Sequence, residues 1–397
     1  MDKVDVIVAG AGPVGLVAAN VLADAGCSVV LLEVEDTLPT NLRASTFQSV
    51  TLDLLEPFGV NDKLINMGVI SPIMQYRDRK GWVAEFDFAV LKNDTHYPYR
   101  VQCEQFKLCE LLVERLKTKP NAKVIYSARA QSVTQDDHGV DVEAQIAGKT
   151  EHLKGKWLIA ADGGRSLLRA SVGVKLEGFT WPERYLVAST TFDFPSVMPG
   201  LSTVSYFADP DEWYFLLKVP DMWRCMFPIG EHEKDDVVLS DEDIQRRLQR
   251  VYPKSTPYDI KHRTIYSVHQ RVAERYRVGR TFLAGDAAHL NNPLGGMGMN
   301  GGIHDAFAIS ERLAGVLTGK LGESALDGYE RERRPVALHY VDKISTANKR
   351  NLETKDPAEQ KAWRDLMDKT ARDPELARQY LARVSMIESI RQSKAAA

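Results

Sequence analysis

The chain opens on an apolar run, Val4–Ala9, broken only by Asp5. Glycines follow, then a segment, Pro13–Ala25, with apolar residues at helical spacing, and a second apolar run, Ser28–Glu33. Strands buried on both faces read as near-continuous apolar runs, so this order predicts a strand–helix–strand unit and the start of a doubly wound sheet. Helical patterns return at Val50–Phe58 and Glu104–Lys117, and between them Gln75–Phe88 alternates with the period of two expected of short strands. Lys123–Ile146 predicts a β-meander with a turn at Asp136–Gly139, and Gly155–Ala161 a buried strand running into a glycine turn. From about Arg184 to His269 the texture changes to aromatic and β-branched pieces: Tyr185–Phe192, Thr203–Phe207, Glu212–Val219, Trp223–Ile229 and Tyr258–His269. They predict a second, mainly antiparallel unit, interrupted by a helix at Ser240–Val251 that starts on a Ser240/Asp243 capping box. A buried strand at Arg280–Ala284, a glycine-rich loop, a helix from about Met299 and a charged helical stretch, Ala325–Ala397, complete the chain, with a frayed end expected at QSKAAA.

Composition narrows the function classes. With 397 residues and 44% hydrophobic positions the chain can bury two packed domains. A net charge of -3, from 51 basic against 54 acidic residues, carries no footprint for nucleic acid or an anionic membrane. No stretch reaches the ~20 apolar residues of a membrane span, and the first run lacks the basic start and length of a signal peptide, so the cytoplasm is the expected compartment. Cys27, Cys103, Cys109 and Cys225 show no CxxC pair and no histidine at zinc-finger spacing, so neither a metal nor a disulfide framework is expected.

The chemistry sits in three glycine clusters. Gly10-Ala11-Gly12-Pro13-Val14-Gly15 lies between a strand and a helix, and Glu33 ends the next strand about 20 residues on, the context of an adenine-dinucleotide fingerprint. Gly10 permits the tight turn, Gly12 lets backbone approach a pyrophosphate at the helix N-terminus, Gly15 lets the helix pack on the sheet, and Glu33 would accept hydrogen bonds from ribose hydroxyls. This motif alone does not separate FAD from NAD. Two further clusters follow predicted strands: Ala160-Ala161-Asp162-Gly163-Gly164-Arg165-Ser166-Leu167-Leu168-Arg169, and Gly285-Asp286-Ala287-Ala288-His289 continuing to Pro293-Leu294-Gly295-Gly296-Met297-Gly298-Met299-Asn300.

In these three motifs, in this order, the chain resembles the FAD-dependent aromatic hydroxylases, the class A flavoprotein monooxygenases of the para-hydroxybenzoate hydroxylase type. The resemblance implies an α/β fold: a discontinuous Rossmann-like FAD-binding domain (residues 1–72, 97–178 and 279–345), an inserted, mainly antiparallel β-sheet substrate domain (73–96 and 179–278), and a C-terminal helical segment (346–397). It implies that Gly10, Gly12, Pro13, Val14, Gly15 and Glu33 hold the adenine half of FAD, and that Arg43 and Gln105 lie near its pyrophosphate and ribityl chain. Asp162 would touch the pyrophosphate region, Arg169 would secure its turn, and Asp286 would accept from the ribityl chain. Gly296, Gly298, Met299 and Asn300 would bring backbone and a helix N-terminus to the flavin, where negative charge collects on reduction. Pro293 resembles the proline beside the reactive C4a position.

The implied reaction is hydroxylation of a small phenolic or heteroaromatic ring with NADH or NADPH and O2, through a C4a-hydroperoxide. A phenol would be activated by deprotonation, for which Tyr206, Tyr214 and His269 are candidates. The wider aromatic set, with Trp213, Phe215, Trp223 and Phe227, has a spacing that serves a core more often than a substrate wall. The expected partners are the small aromatic substrate and O2, without nucleic acid or membrane, and a homodimer is an admissible assembly. Alternatives are epoxidation of an alkene or hydroxylation of a quinone precursor, halogenation using Lys80 with the Trp223–Pro228 segment, an NAD-dependent dehydrogenase built on the first motif alone, and a non-catalytic flavin-binding module.

Overall fold

The computed structural model describes residues 3–78, 81–209 and 211–396, so Lys80 lies outside the described residues. Val4–Ala9 forms the centre of an eight-stranded sheet, parallel to Val29–Leu32 on one side and to Lys149–Ala160 on the other. Thr281–Leu283 and Ala122–Ile125 extend it, again in parallel. Helix Pro13–Asp24 packs on this sheet, and helix Gly298–Leu317 packs closely on Pro13–Asp24: a Cβ on Gly302 would lie 2.7 Å from Val14 Cγ2.

The meander expected at Lys123–Ile146 is divided. Ala122–Ile125 leaves it for the parallel sheet, whereas Ala128–Gln135 and Val140–Ile146 pair antiparallel, and the latter pairs antiparallel with Lys149–Ala160. The turn between them falls where expected, because the Asp136 carboxylate accepts from the His138 and Gly139 amides at 2.7 and 2.9 Å. Lys149–Ala160 serves two environments. Its first part is mostly exposed and its last four residues are all buried, as expected of a strand that passes from an open antiparallel ribbon into a covered parallel sheet.

A second eight-stranded sheet contains Leu176–Thr190, Ile260–Ala273, Met222–Ile229, Tyr214–Val219 and Val204–Phe207, continued by Ile73–Asp78 and Gly81–Asp87. All of these pair antiparallel except Val204–Phe207 with Ile73–Asp78, which run parallel. The first residue of Leu176–Thr190 is in register with the last of Ile260–Ala273, Leu176 opposite Ala273. Alternation sends Tyr206 to one apolar cluster and Phe207 to another on the opposite face. Helix Asp241–Val251 covers the second face, its Ser240 Oγ accepting from Asp243 N at 3.2 Å as the capping box requires.

The C-terminal stretch is helical. Pro357–Arg372 and Pro374–Val384 each begin on an Asp-Pro pair, with Asp356 and Asp373 accepting from the first free amides. The end does not fray as expected: helix Ile387–Ala396 continues and Ser393 is buried. Among the described residues no helix is long and apolar enough to cross a membrane.

Candidate active site

Because Ala9 is in register with Ala160, and Ala160 with Leu283, the three glycine motifs leave adjacent parallel strands at the same edge. Ligands of doubly wound sheets bind at this edge. Gly10 has φ +99, and a Cβ there would sit 2.4 Å from the carbonyl oxygen of Ala161, so the first and second motifs touch only because residue 10 is glycine. A Cβ on Gly15 would meet Gly10 O at 1.9 Å, whereas one on Gly12 would meet nothing within 4 Å. The first two glycines serve packing, and the third faces a cavity of about 500 Å3.

That cavity brings together Gly12, Pro13, Val14, Arg43, Gln105, Asp286, Pro293, Gly296, Gly298, Met299 and Tyr206. Asp286 is deep in the protein yet its surface is exposed, because what it faces is the cavity rather than other side chains. No hydrogen bond among the described residues reaches its carboxylate; burial pushes its pKa up, opposed by His289 and Arg43. Arg43 sits on a loop pinned from the second sheet: Arg224 donates to Arg43 O at 2.7 Å and Ser45 Oγ at 2.9 Å, and Tyr266 donates to Leu42 O at 2.8 Å. Gln105 opens helix Gln105–Lys117 and donates its amide to Ala44 O at 3.0 Å, closing the same loop from the other side. The first residues of helix Gly298–Leu317 line the cavity with amides that have no partner one turn back.

Other expected residues stand elsewhere. Glu33 is buried and its carboxylate accepts from Ala11 N at 2.7 Å and Glu35 N at 3.0 Å, so it braces the first motif. Asp162 lies beside the cavity wall formed by Ala161 and Gly163. Its Oδ2 accepts weakly from Leu168 N at 3.4 Å and its buried Oδ1 has no partner, while burial raises its pKa. Arg169 ties the second motif to the third, donating to Gly164 O at 3.0 Å and Ala287 O at 3.1 Å. The Asn300 side chain is wholly buried, and its amide is consumed by Gln48 N, Thr46 O and Gly296 O at 3.0, 2.9 and 2.6 Å, so it shapes the glycine loop, which leaves only its backbone, in the first turn of helix Gly298–Leu317, for the cofactor.

The far end of the cavity is aromatic. Tyr206 and Phe215 stack at 4.5 Å with 26° between their planes, beside Pro293, Leu294 and His269. Tyr214 is a correction: it neighbours Phe215 in a strand, so it points to the opposite face, where it stacks on Phe207 at 4.4 Å. Trp223 and Phe227 are core residues on that same face, whereas Arg224 and Met226 between them line the cavity. His269 Nδ1 is 2.9 Å from Thr180 Oγ1, and burial together with Arg271 lowers its pKa. Sequence reading missed Arg100 and Arg224, both buried and both on the cavity wall.

Behind the third motif lies a buried cluster the sequence did not reveal. Asp305 pairs with His289 Nε2 at 2.7 Å and Arg333 Nε at 2.7 Å, and accepts from Gly285 N at 3.2 Å. Burial opposes the Asp305 charge, but His289 and Arg333 outweigh it and hold the carboxyl below its ordinary range.

A larger cavity, about 1030 Å3, lies among the C-terminal helices, between Tyr76, His339, Trp363 and Tyr380. It contains none of the motif residues, so size does not identify the site here. The smaller cavity fits FAD on its own chemistry: an open glycine backbone, a helix N-terminus, an arginine, and a deep carboxylate with no hydrogen-bond partner among the described residues.

Comparison with known proteins agrees. Residues 3–344 match the family model described as FAD binding domain. The chain is 35% identical over 393 residues to para-nitrophenol 4-monooxygenase of Pseudomonas sp. (strain WBC-3), covering 96% of this chain and 95% of that protein. It is 34% identical over 365 residues to 6-hydroxy-3-succinoylpyridine 3-monooxygenase of Pseudomonas putida (strain DSM 28022 / S16), covering 90% and 91%. The crystal structure of p-nitrophenol 4-monooxygenase from Pseudomonas putida DLL-E4 superposes with a TM-score of 0.91 at 32% identity, covering 97% of this chain and 99% of that one. Fold, cavity and relatives converge, and the chain belongs to the FAD-binding-domain family, among its FAD-dependent aromatic-ring monooxygenases.

Proposed function

We propose that the chain hydroxylates a small phenolic or heteroaromatic ring, using NADH or NADPH and O2, inside the 500 Å3 cavity. One observation carries the reading: a single cavity joins the dinucleotide cradle to the stacked pair Tyr206/Phe215 and Pro293, so cofactor and flat substrate would share one enclosed space. Relatives named for a nitrophenol and a hydroxypyridine support the substrate class.

Bound FAD supplies the redox chemistry, accepting hydride from the nicotinamide coenzyme and activating O2 for transfer of one oxygen atom to the ring. The protein supplies position and electrostatics. In this reading Gly12 and the N-terminus of Pro13–Asp24 receive the pyrophosphate, with Glu33 bracing the turn and Arg43 adding charge. Asp286 and Gln105 bind the ribityl chain, and Asp162 borders the pyrophosphate. The amides that open Gly298–Leu317, with Gly296 and Met299, stabilise negative charge on the flavin. Pro293 shapes the reacting edge, and Tyr206 lies against the ring. We assign residues 1–72, 97–178 and 279–345 to FAD binding, 73–96 and 179–278 to the substrate, and 346–397 to a helical cover, a division supported by the two sheets.

The test is a visible spectrum of the purified protein, followed by NAD(P)H oxidation and peroxide release against phenols, hydroxybenzoates and hydroxypyridines. A flavin spectrum with ring-stimulated coenzyme consumption and little peroxide is expected. A colourless protein that FAD does not reconstitute would overturn the reading in favour of a dehydrogenase, and bound FAD without oxygen-dependent coenzyme consumption would indicate a non-catalytic module.

A further inference from the structure

The buried arginines of this chain fall into two kinds. Arg247 is surrounded by Asp243, Glu212 and Glu233, and Arg333 is paired with Asp305. Such counter-charges are the rule, because an isolated buried charge is costly. Arg77 and Arg224 break the rule, and so does Arg100. It is 2% exposed, it lines the cavity, and no carboxylate among the described residues lies within ion-pairing distance.

Its contacts are neutral. Nε donates to Gln48 Oε1 at 2.9 Å, Nη2 to Val384 O and Nη1 to Met74 Sδ, both at a long 3.4 Å, and the guanidinium lies 5.1 Å from the centre of the Phe88 ring. The groups around it able to carry negative charge are the hydroxyls of Tyr206, Tyr76 and Tyr380, and the Tyr206 hydroxyl also hydrogen-bonds to the guanidinium. A guanidinium keeps its charge when buried, so although each nitrogen has a neutral partner, a full positive charge remains without a carboxylate at the cavity wall. Arg224, the other buried arginine on the cavity, donates through Nη1 and Nη2 to Arg43 O, Ser45 Oγ and Leu42 O at the cradle end, and its buried Nε has no partner among the described residues. Arg100 instead belongs to the aromatic end. Gln48 links it to the glycine loop by donating to Gly295 O at 2.9 Å, and the Gly296 amide donates to Pro293 O at 3.0 Å.

We propose that Arg100 is the counter-charge for an ionised oxygen on the ring substrate, so that this enzyme binds ring substrates as phenolates or carboxylates in preference to neutral analogues. The inference rests on the aromatic-hydroxylase reading and adds the charge state of the substrate. An oxyanion against a buried guanidinium makes short, charge-assisted hydrogen bonds. For a phenol, the proton leaves to bulk water on binding, and the electron-rich ring that oxygen transfer requires is present without a protein base to create it.

The test uses the FAD-loaded protein and two matched ligand pairs, with dissociation constants read from perturbation of the flavin spectrum. 4-Nitrophenol against 4-nitroanisole reports on a phenolate, and 4-hydroxybenzoate against 4-hydroxybenzamide on a carboxylate. The anionic member of at least one pair should bind at least tenfold tighter to the wild type, and its affinity should rise with pH as it ionises. R100M and R100Q should remove that preference while changing the neutral member's affinity less than threefold, and R100K should retain part of it, since a lysine keeps the charge but loses the fork. A wild type with no preference in either pair overturns the proposal, and this arm needs no variant to fold. A preference that survives in R100M or R100Q also overturns it. If no ring perturbs the flavin spectrum at all, the hydroxylase reading falls and this inference with it.

Discussion

The guanidinium of Arg224 donates to the main-chain carbonyl of Arg43 at 2.7 Å, across 181 positions of sequence. A strand of the second sheet thus holds the loop that carries a cradle residue of the first. R224M should free residues 42–45. Hydrogen bonds from a charged donor contribute about 1.5–3 kcal/mol, so FAD affinity should fall by roughly 10- to 100-fold. Fluorescence titration of the apoprotein with FAD measures this, and an unchanged affinity would show that the loop keeps its shape unaided.

Asp286 exposes to the cavity a carboxylate that has no hydrogen-bond partner among the described residues. D286A should weaken FAD retention at least tenfold while leaving the folded apoprotein intact, because the side chain makes no bond that the apoprotein would lose. FAD content after dialysis, alongside circular dichroism, checks both halves, and full FAD occupancy in D286A would count against the role proposed for it.

Pro293 borders the aromatic end of the cavity. P293S should lower the ratio of hydroxylated product to NAD(P)H consumed, with more peroxide released, and should change FAD affinity little. A ratio equal to that of the wild type would remove Pro293 from the reacting edge.

Asp305 is buried between His289 and Arg333. D305A strands a buried arginine and should cost about 3–5 kcal/mol of stability. The Asp305 pKa lies below its unfolded value, so the stability it contributes is present above the ordinary aspartate pKa of about 3.9 and is lost as pH falls through the lower, folded value. The gap in Tm between wild type and D305A should therefore be widest near neutral pH and shrink in acid below about pH 4. A gap independent of pH would mean that Asp305 acts through packing alone.

The first motif was legible because its glycines are demanded by local geometry: a tight turn, and a helix packed so close that a Cβ on Gly15 would lie 1.9 Å from Gly10 O. The antiparallel strands between residues 185 and 269 were legible from their aromatic and β-branched texture, but texture names a strand and not its neighbour. This is why Ala122–Ile125 left its expected meander for the parallel sheet. Asn300 was placed by its motif at the helix N-terminus, and only the fold shows that its side-chain amide is spent on residues 46, 48 and 296. Tyr214 and Phe215 could not be told apart until one face of their strand was known to be the cavity. Arg100 carried no signal at all. A single arginine in a short strand becomes informative only when the counter-charges around it can be counted.

The pairing of Leu176 with Ala273 closes the base of the longest excursion from the parallel sheet. Almost a hundred residues depart and return through one hydrogen-bonded stem, so this part of the substrate wall can be exchanged through a junction two strands wide. The Ile73–Asp78 and Gly81–Asp87 hairpin, together with the loop held by Arg224, would have to remain compatible with any replacement. A chimera cut at 176 and 273 would show whether the ring specificity proposed for this segment travels with it.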